Sequence, residues 1–112
     1  MNDVSQVDEK ILKCIDTALE KLGESVPTSI FYYLKRDFGL ERFEIPKKPE
    51  VFEKALTSIF GKRGAKVVEK LILVEIRKNF NIKKGSSSTF KRTVENIKKS
   101  SINSLKYSLT EQ

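Results

Sequence analysis

Apolar and polar positions along this chain follow the period of a helix, and nowhere the two-residue period of a strand. Val4, Val7, Ile11, Cys14/Ile15, Ala18 and Leu22 recur every third or fourth residue, with Asp8, Glu9, Lys10, Lys13, Asp16, Glu20 and Lys21 on the other faces. That stripe predicts a first helix over about 4–22, opened by Asn2 or Asp3 and closed by Gly23. Ser25 followed by Val26-Pro27 marks a second start, with proline in a first turn where its missing N–H costs little; Thr28 is a competing cap. Ile30, Phe31, Leu34 and Phe38 give this helix its buried face, and Gly39 ends it. The stretch LERFEIPKK, 40–48, reads as a connector anchored by Phe43 and Ile45, with Pro46 and Pro49 keeping it out of helix. A third helix starts at Pro49, carries Val51, Phe52, Ala55, Leu56, Ile59 and Phe60, and stops at Gly61.

Residues 65–80, AKVVEKLILVEIRKNF, are apolar around much of a helical circumference, which predicts the central helix of a small bundle. The run Leu71-Ile72-Leu73-Val74 leaves little polar face there. Gly61-Lys62-Arg63-Gly64 is expected as the turn before it. After it, KKGSSS at 83–88 has the composition of a linker. Phe90, Val94, Ile97, Ile102, Leu105 and Leu109 then mark an amphipathic helix weakened by its serines. The expected fold is all-α: a compact four-helix domain over 1–82, with a partly ordered, basic, amphipathic C-terminal helix within 83–112. The expected core is Ile11, Ile15, Leu19, Ile30, Phe31, Leu34, Phe52, Leu56, Phe60, Val68, Leu71, Ile72 and Ile76.

Composition narrows the chemistry more than it names it. The 112 residues make one ordinary domain and contain no histidine, which removes the commonest general base and transition-metal ligand. Cys14 is the single cysteine, so an internal disulfide is excluded, and its place on the apolar stripe suits a buried thiol. No apolar run reaches the roughly 18 residues of a membrane span, and MNDVSQVDEK is unlike a signal peptide; the expected location is the cytoplasm. Without a metal motif, a nucleophile elbow or a glycine-rich cofactor loop, no catalytic, cofactor or metal residues are expected, and the chain does not read as an enzyme.

The net charge of +7 is uneven: residues 1–82 hold 15 Lys/Arg against 13 Asp/Glu, and residues 83–112 hold 7 against 2. Lys83, Lys84, Lys91, Arg92, Lys98, Lys99 and Lys106 surround the apolar line of the tail, a pattern suited to a groove on another protein, to nucleic acid or to an anionic membrane, and equally to folding back on the body or remaining a solvated tail. Lys62, Arg63 and Lys66 could touch phosphate at the start of the central helix, in the manner of a helix-turn-helix, but the apolar content of that helix argues for burial. Tyr32, Tyr33, Lys35 and Arg36 interleave aromatic and basic groups that could stack on bases, with packing the plainer reading. The candidate contact residues are therefore Lys62, Arg63, Lys66, Lys91, Arg92, Lys98 and Lys99. The stripe of the first helix is compatible with a coiled-coil dimer and, more simply, with packing inside the bundle.

Taken in order, SVPTSIFYYL at 25–34, FGL at 38–40, EIP at 44–46, PEVF at 49–52, IFG at 59–61 and GAKVVEKLI at 64–72 resemble the archaeal Nitrosopumilus output domain family, fifth class. The likeness spans about residues 8–82 and lies in the order and spacing of the pieces rather than in any one. It implies a helical domain that receives or transmits a signal, without a defined reaction, so no catalytic residue carries over. Lys62-Arg63 between the two glycines and the basic tail depart from the pattern, as does the absence of an attached receiver or sensor. A copy of this kind would meet its signalling protein in trans.

Overall fold

The computed structural model describes residues 6–81 and 89–99. All regular structure among them is helical, and the domain is an all-α four-helix fold. Helix α1 spans Gln6–Glu20, α2 Val26–Phe38, α3 Pro49–Phe80, and α4 residues 90–99, with a short 3-10 turn at Arg42–Glu44 between α2 and α3. No helix among the described residues is long and apolar enough to cross a membrane.

Helix α1 ends in a turn at Lys21-Leu22, where Leu22 N–H bonds to Leu19 O. Its stripe is buried as the periodicity requires, with Ile11, Ile15, Ala18 and Leu19 at 0 % exposure within the single chain. Leu12 is buried beside them, and so is Asp8, which the sequence pattern assigns to a polar face. The reason is α4: Lys98 Nζ lies 3.7 Å from Asp8 Oδ1 and donates to Pro46 O at 2.6 Å, covering that side of α1.

Helix α2 starts at its expected place, with Pro27 in the first turn, but the Ser25 side chain caps nothing. The C-terminus is closed through Gly39 and Leu40, whose N–H groups bond back to Lys35 O and Leu34 O, and Leu40 turns into the core. In the connector Ile45 is an anchor and Phe43 is not: Phe43 is exposed, with the Lys47 ammonium 5.8 Å above its ring. Arg42 ties the connector to α1 instead, through a two-point contact with Asp16, and covers the ring of half-buried Phe31.

The third and fourth predicted helices are the two arms of one kinked helix, α3. The expected four-residue turn shrinks to a single residue, Gly61, with φ 78° and ψ 170°, a conformation that a side chain makes very costly. Lys62 and Arg63 are already helical. Gly64 is required by close approach, since a Cβ there would lie 2.9 Å from that of Phe60. The core runs through both arms, with Phe52, Ala55 and Leu56 from the first and Ala65, Val68, Ile72 and Ile76 from the second. Phe31, Phe60 and Leu71, expected inside, pack on its edge half-buried.

Helix α4 belongs to the same core, so the boundary expected at 82/83 does not divide two packing units. Phe90, Val94 and Ile97 are buried, and the Phe90 ring meets Phe52 edge-on at 5.1 Å. The continuation of this helix expected as far as Leu109 lies outside the described residues, as do Val4, Lys83, Lys84 and Lys106.

Candidate interaction surface

Two carboxylates, one from each arm of α3, receive the first amides of α4. Phe90 N–H donates to Glu69 Oε2 at 2.9 Å and Lys91 N–H to Glu53 Oε2 at 2.8 Å. This satisfies two of the orphan donors of a helix start and places negative charge at its positive end. Burial, opposed by the Lys91 amide and reinforced by the neighbouring Glu69, holds the Glu53 carboxyl above its ordinary pKa. A groove of about 200 Å3 opens beside the pair, lined among others by Lys62, Lys66 and Thr89.

The other acidic residue on the second arm, Glu75, also faces inward. It is buried, paired with Lys21 of the α1 end, and has Lys78 at 3.9 Å. The Lys21 ammonium holds its carboxyl below the usual range. Its backbone oxygen accepts from Asn79 Nδ2 at 2.7 Å and lies 3.7 Å from Cys14 Sγ. Burial, reinforced by the nearby Glu75 charge, pushes the pKa of the Cys14 thiol up.

With Glu75 turned in and Glu69 engaged at the start of α4, cations outnumber carboxylates on the outward side of the second arm. Arg63, Lys66, Lys70 and Arg77 fall with Val67, Leu73 and Val74 within about 120° of the helical circumference, taking 100° per residue. Val67 is 57 % and Val74 38 % exposed. None of the four cations is in an ion pair with another described residue. Lys66, Val67, Lys70, Leu73 and Arg77 line a second, shallow groove of about 420 Å3 that ends at Thr89. The sequence expectation that this helix is too apolar to show an outer face is thereby corrected.

The candidate residues named from sequence divide in two. Lys62, Arg63 and Lys66 are exposed along the start of the second arm, and Lys91 and Arg92 are exposed at the adjoining start of α4. Lys98, near the other end of α4, is tied to Asp8 and Pro46 and serves packing, while Lys99 beside it is exposed. Sequence reasoning missed Val67, Lys70, Val74 and Arg77, although their seven-residue and neighbouring spacings put them on one side.

A further exposed group sits on α2. Tyr32 and Tyr33 are 59 and 39 % exposed rather than packed, and the Arg36 guanidinium lies 5.4 and 4.9 Å from their ring centres. Asp37 accepts from Arg36 at 2.8 Å, which neutralises the cluster and leaves it less suited than α3 to hold an anion. No group of three or more metal-ligating side chains occurs among the described residues. Comparison of the chain with protein-family models, with curated proteins and with solved structures returns no match.

Proposed function

We propose that this chain is a non-enzymatic protein-interaction module of the signalling-output kind that its sequence resemblance implies, working in trans on a protein partner. The observation that carries the reading is the outward face of the second arm of α3, where valines stand exposed among cations. These cations form no ion pair with a described residue and outnumber the one carboxylate of the groove, Glu69. Exposed aliphatic side chains beside a cationic line give a partner both apolar surface to bury and charge to orient against. A direct test compares proteins retained from a native lysate by the immobilised wild-type chain and by a Val67→Asp/Lys70→Glu variant. Retention of a defined protein by the wild type, lost in the variant and unaffected by nuclease, is the expected result. Equal retention by both would remove α3 from the function.

Nucleic-acid binding is the second reading, favoured by the exposure of Lys62, Arg63, Lys66, Lys91 and Arg92 around one end of the groove. It requires affinity for DNA or RNA that persists at near-physiological salt and falls steeply above it as counterions are released. Titration of labelled single- and double-stranded DNA at low and near-physiological salt separates it from adsorption seen at low salt alone.

A further inference from the structure

We infer that the groove on the second arm of α3 receives an acidic amphipathic helix of the partner, an inference that rests on the interaction-module reading and adds the chemistry of the segment bound. Three observations converge on it. Leu73 and exposed Val67 line the groove, and exposed Val74 lies on the same side of the helix beside it, so an occupant gains by burying apolar side chains there. The rim is a cationic line, Lys66, Lys70 and Arg77, which runs for about 16 Å at 1.5 Å per residue, the length of three helical turns. The one carboxylate lining the groove, Glu69, accepts from the Phe90 amide and stands against three cations, Lys66, Lys70 and Arg77, so the groove keeps a positive excess.

An occupant complementary to both features presents leucine-like residues at helical spacing, flanked by Asp and Glu. This is the helix-in-groove mode of recognition, with opposite charges fixing orientation. A polyanion without apolar side chains would match the rim and leave the valines wet, which is why a protein segment is favoured over nucleic acid.

The test uses the full chain and a fluorescein-labelled synthetic helix of about fifteen residues with leucines at i, i+3, i+4 and i+7 and glutamates beside them, read by anisotropy at near-physiological salt. The controls are the same peptide with Gln for Glu, an oligo(dT) strand, and the chain variants Val67→Asp and Lys70→Glu/Arg77→Glu. All substituted positions are at the surface, and unchanged melting temperatures verify that the variants fold. Saturable binding of the acidic peptide is expected, weakened about tenfold or more by either variant and by the Gln peptide. Binding of oligo(dT) equal to or tighter than the peptide, with Val67→Asp without effect, would overturn the inference in favour of a phosphate backbone. Failure of the peptide to bind, while the Val67→Asp/Lys70→Glu chain still loses its lysate partner, would overturn the helix inference and leave the module reading standing. Failure of both would overturn the two together.

Discussion

Along the second arm of α3, Val68, Ile72 and Ile76 face the core at 3, 0 and 0 % exposure, while Val67 and Val74 stand 57 and 38 % exposed among Lys66, Lys70 and Arg77. Both sides carry β-branched aliphatics, so apolar content does not distinguish them. What separates them is the treatment of charge. On the inner side a carboxylate, Glu75, is given an ammonium partner, and its backbone oxygen is held by Asn79. On the outer side the cations are in no ion pair with a described residue and outnumber the single groove carboxylate, Glu69. A buried ion is expensive unless it is paired, whereas an exposed one can wait for a partner from outside. The contrast marks one side as belonging to the fold and the other as available.

Breaking the packed side should have the largest effect. Phe90→Ala removes the ring lodged on Phe52 and should cost about 3–5 kcal/mol, read as a lower urea midpoint together with faster hydrogen exchange across 90–99. Exchange in 90–99 unchanged from wild type would show that α4 holds on without its aromatic anchor. Next, the two sides of the arm can be compared directly. Ile72→Ala should cost about 2–5 kcal/mol, and Val67→Ala should stay within about 0.5 kcal/mol, both by urea denaturation. Equal losses would mean that Val67 is covered in solution.

The smallest effects sharpen the electrostatic half of the comparison. The Glu75 carboxyl is depressed by Lys21, so its stabilisation is fully present above the unfolded-state pKa of about 4.3 and is lost as pH falls through the lower folded value. Glu75→Gln should therefore be less stable than wild type at neutral pH and converge with it in acid. Glu53 is raised by burial, so its contribution is fully present below about 4.3 and is lost as pH rises through the higher folded value. Glu53→Gln, which keeps an acceptor for the Lys91 amide, should match or exceed wild type at neutral pH and lose that advantage in acid. Melting temperatures of both variants from pH 3 to 8 would check the opposite signs.

Local pattern made much of this architecture legible. The start of α2 at Val26 and its close at Gly39, the proline in the first turn of α3, and the apolar line of Phe90, Val94 and Ile97 all follow from spacing and from residues with restricted backbones, whereas the packing of that line on the body did not. What escaped was set by neighbours distant in sequence. Asp8 is buried where Lys98 covers it, and the connector is tied to α1 by Arg42 through Asp16 while Phe43 stays exposed. The GKRG segment reads as a loop because two glycines frame it, yet only Gly61 leaves the helix; Gly64 is there to let Phe60 approach. The candidate surface was half visible. Lys62, Arg63 and Lys66 stand out as charges, whereas Val67 and Val74 look like core residues until the cover over the rest of α3 is known.

The double anchorage of α4 has a mechanical meaning. Its first two amides are bonded to carboxylates on opposite sides of Gly61, and Phe90 rests on the arm before the bend. Helix α4 is thus a cross-tie over a joint whose own backbone supplies little stiffness. Tension applied from the C-terminal side of α4 would first load the Lys98 contacts to Asp8 and Pro46, and only after their release would it reach the two amide bonds that span the bend.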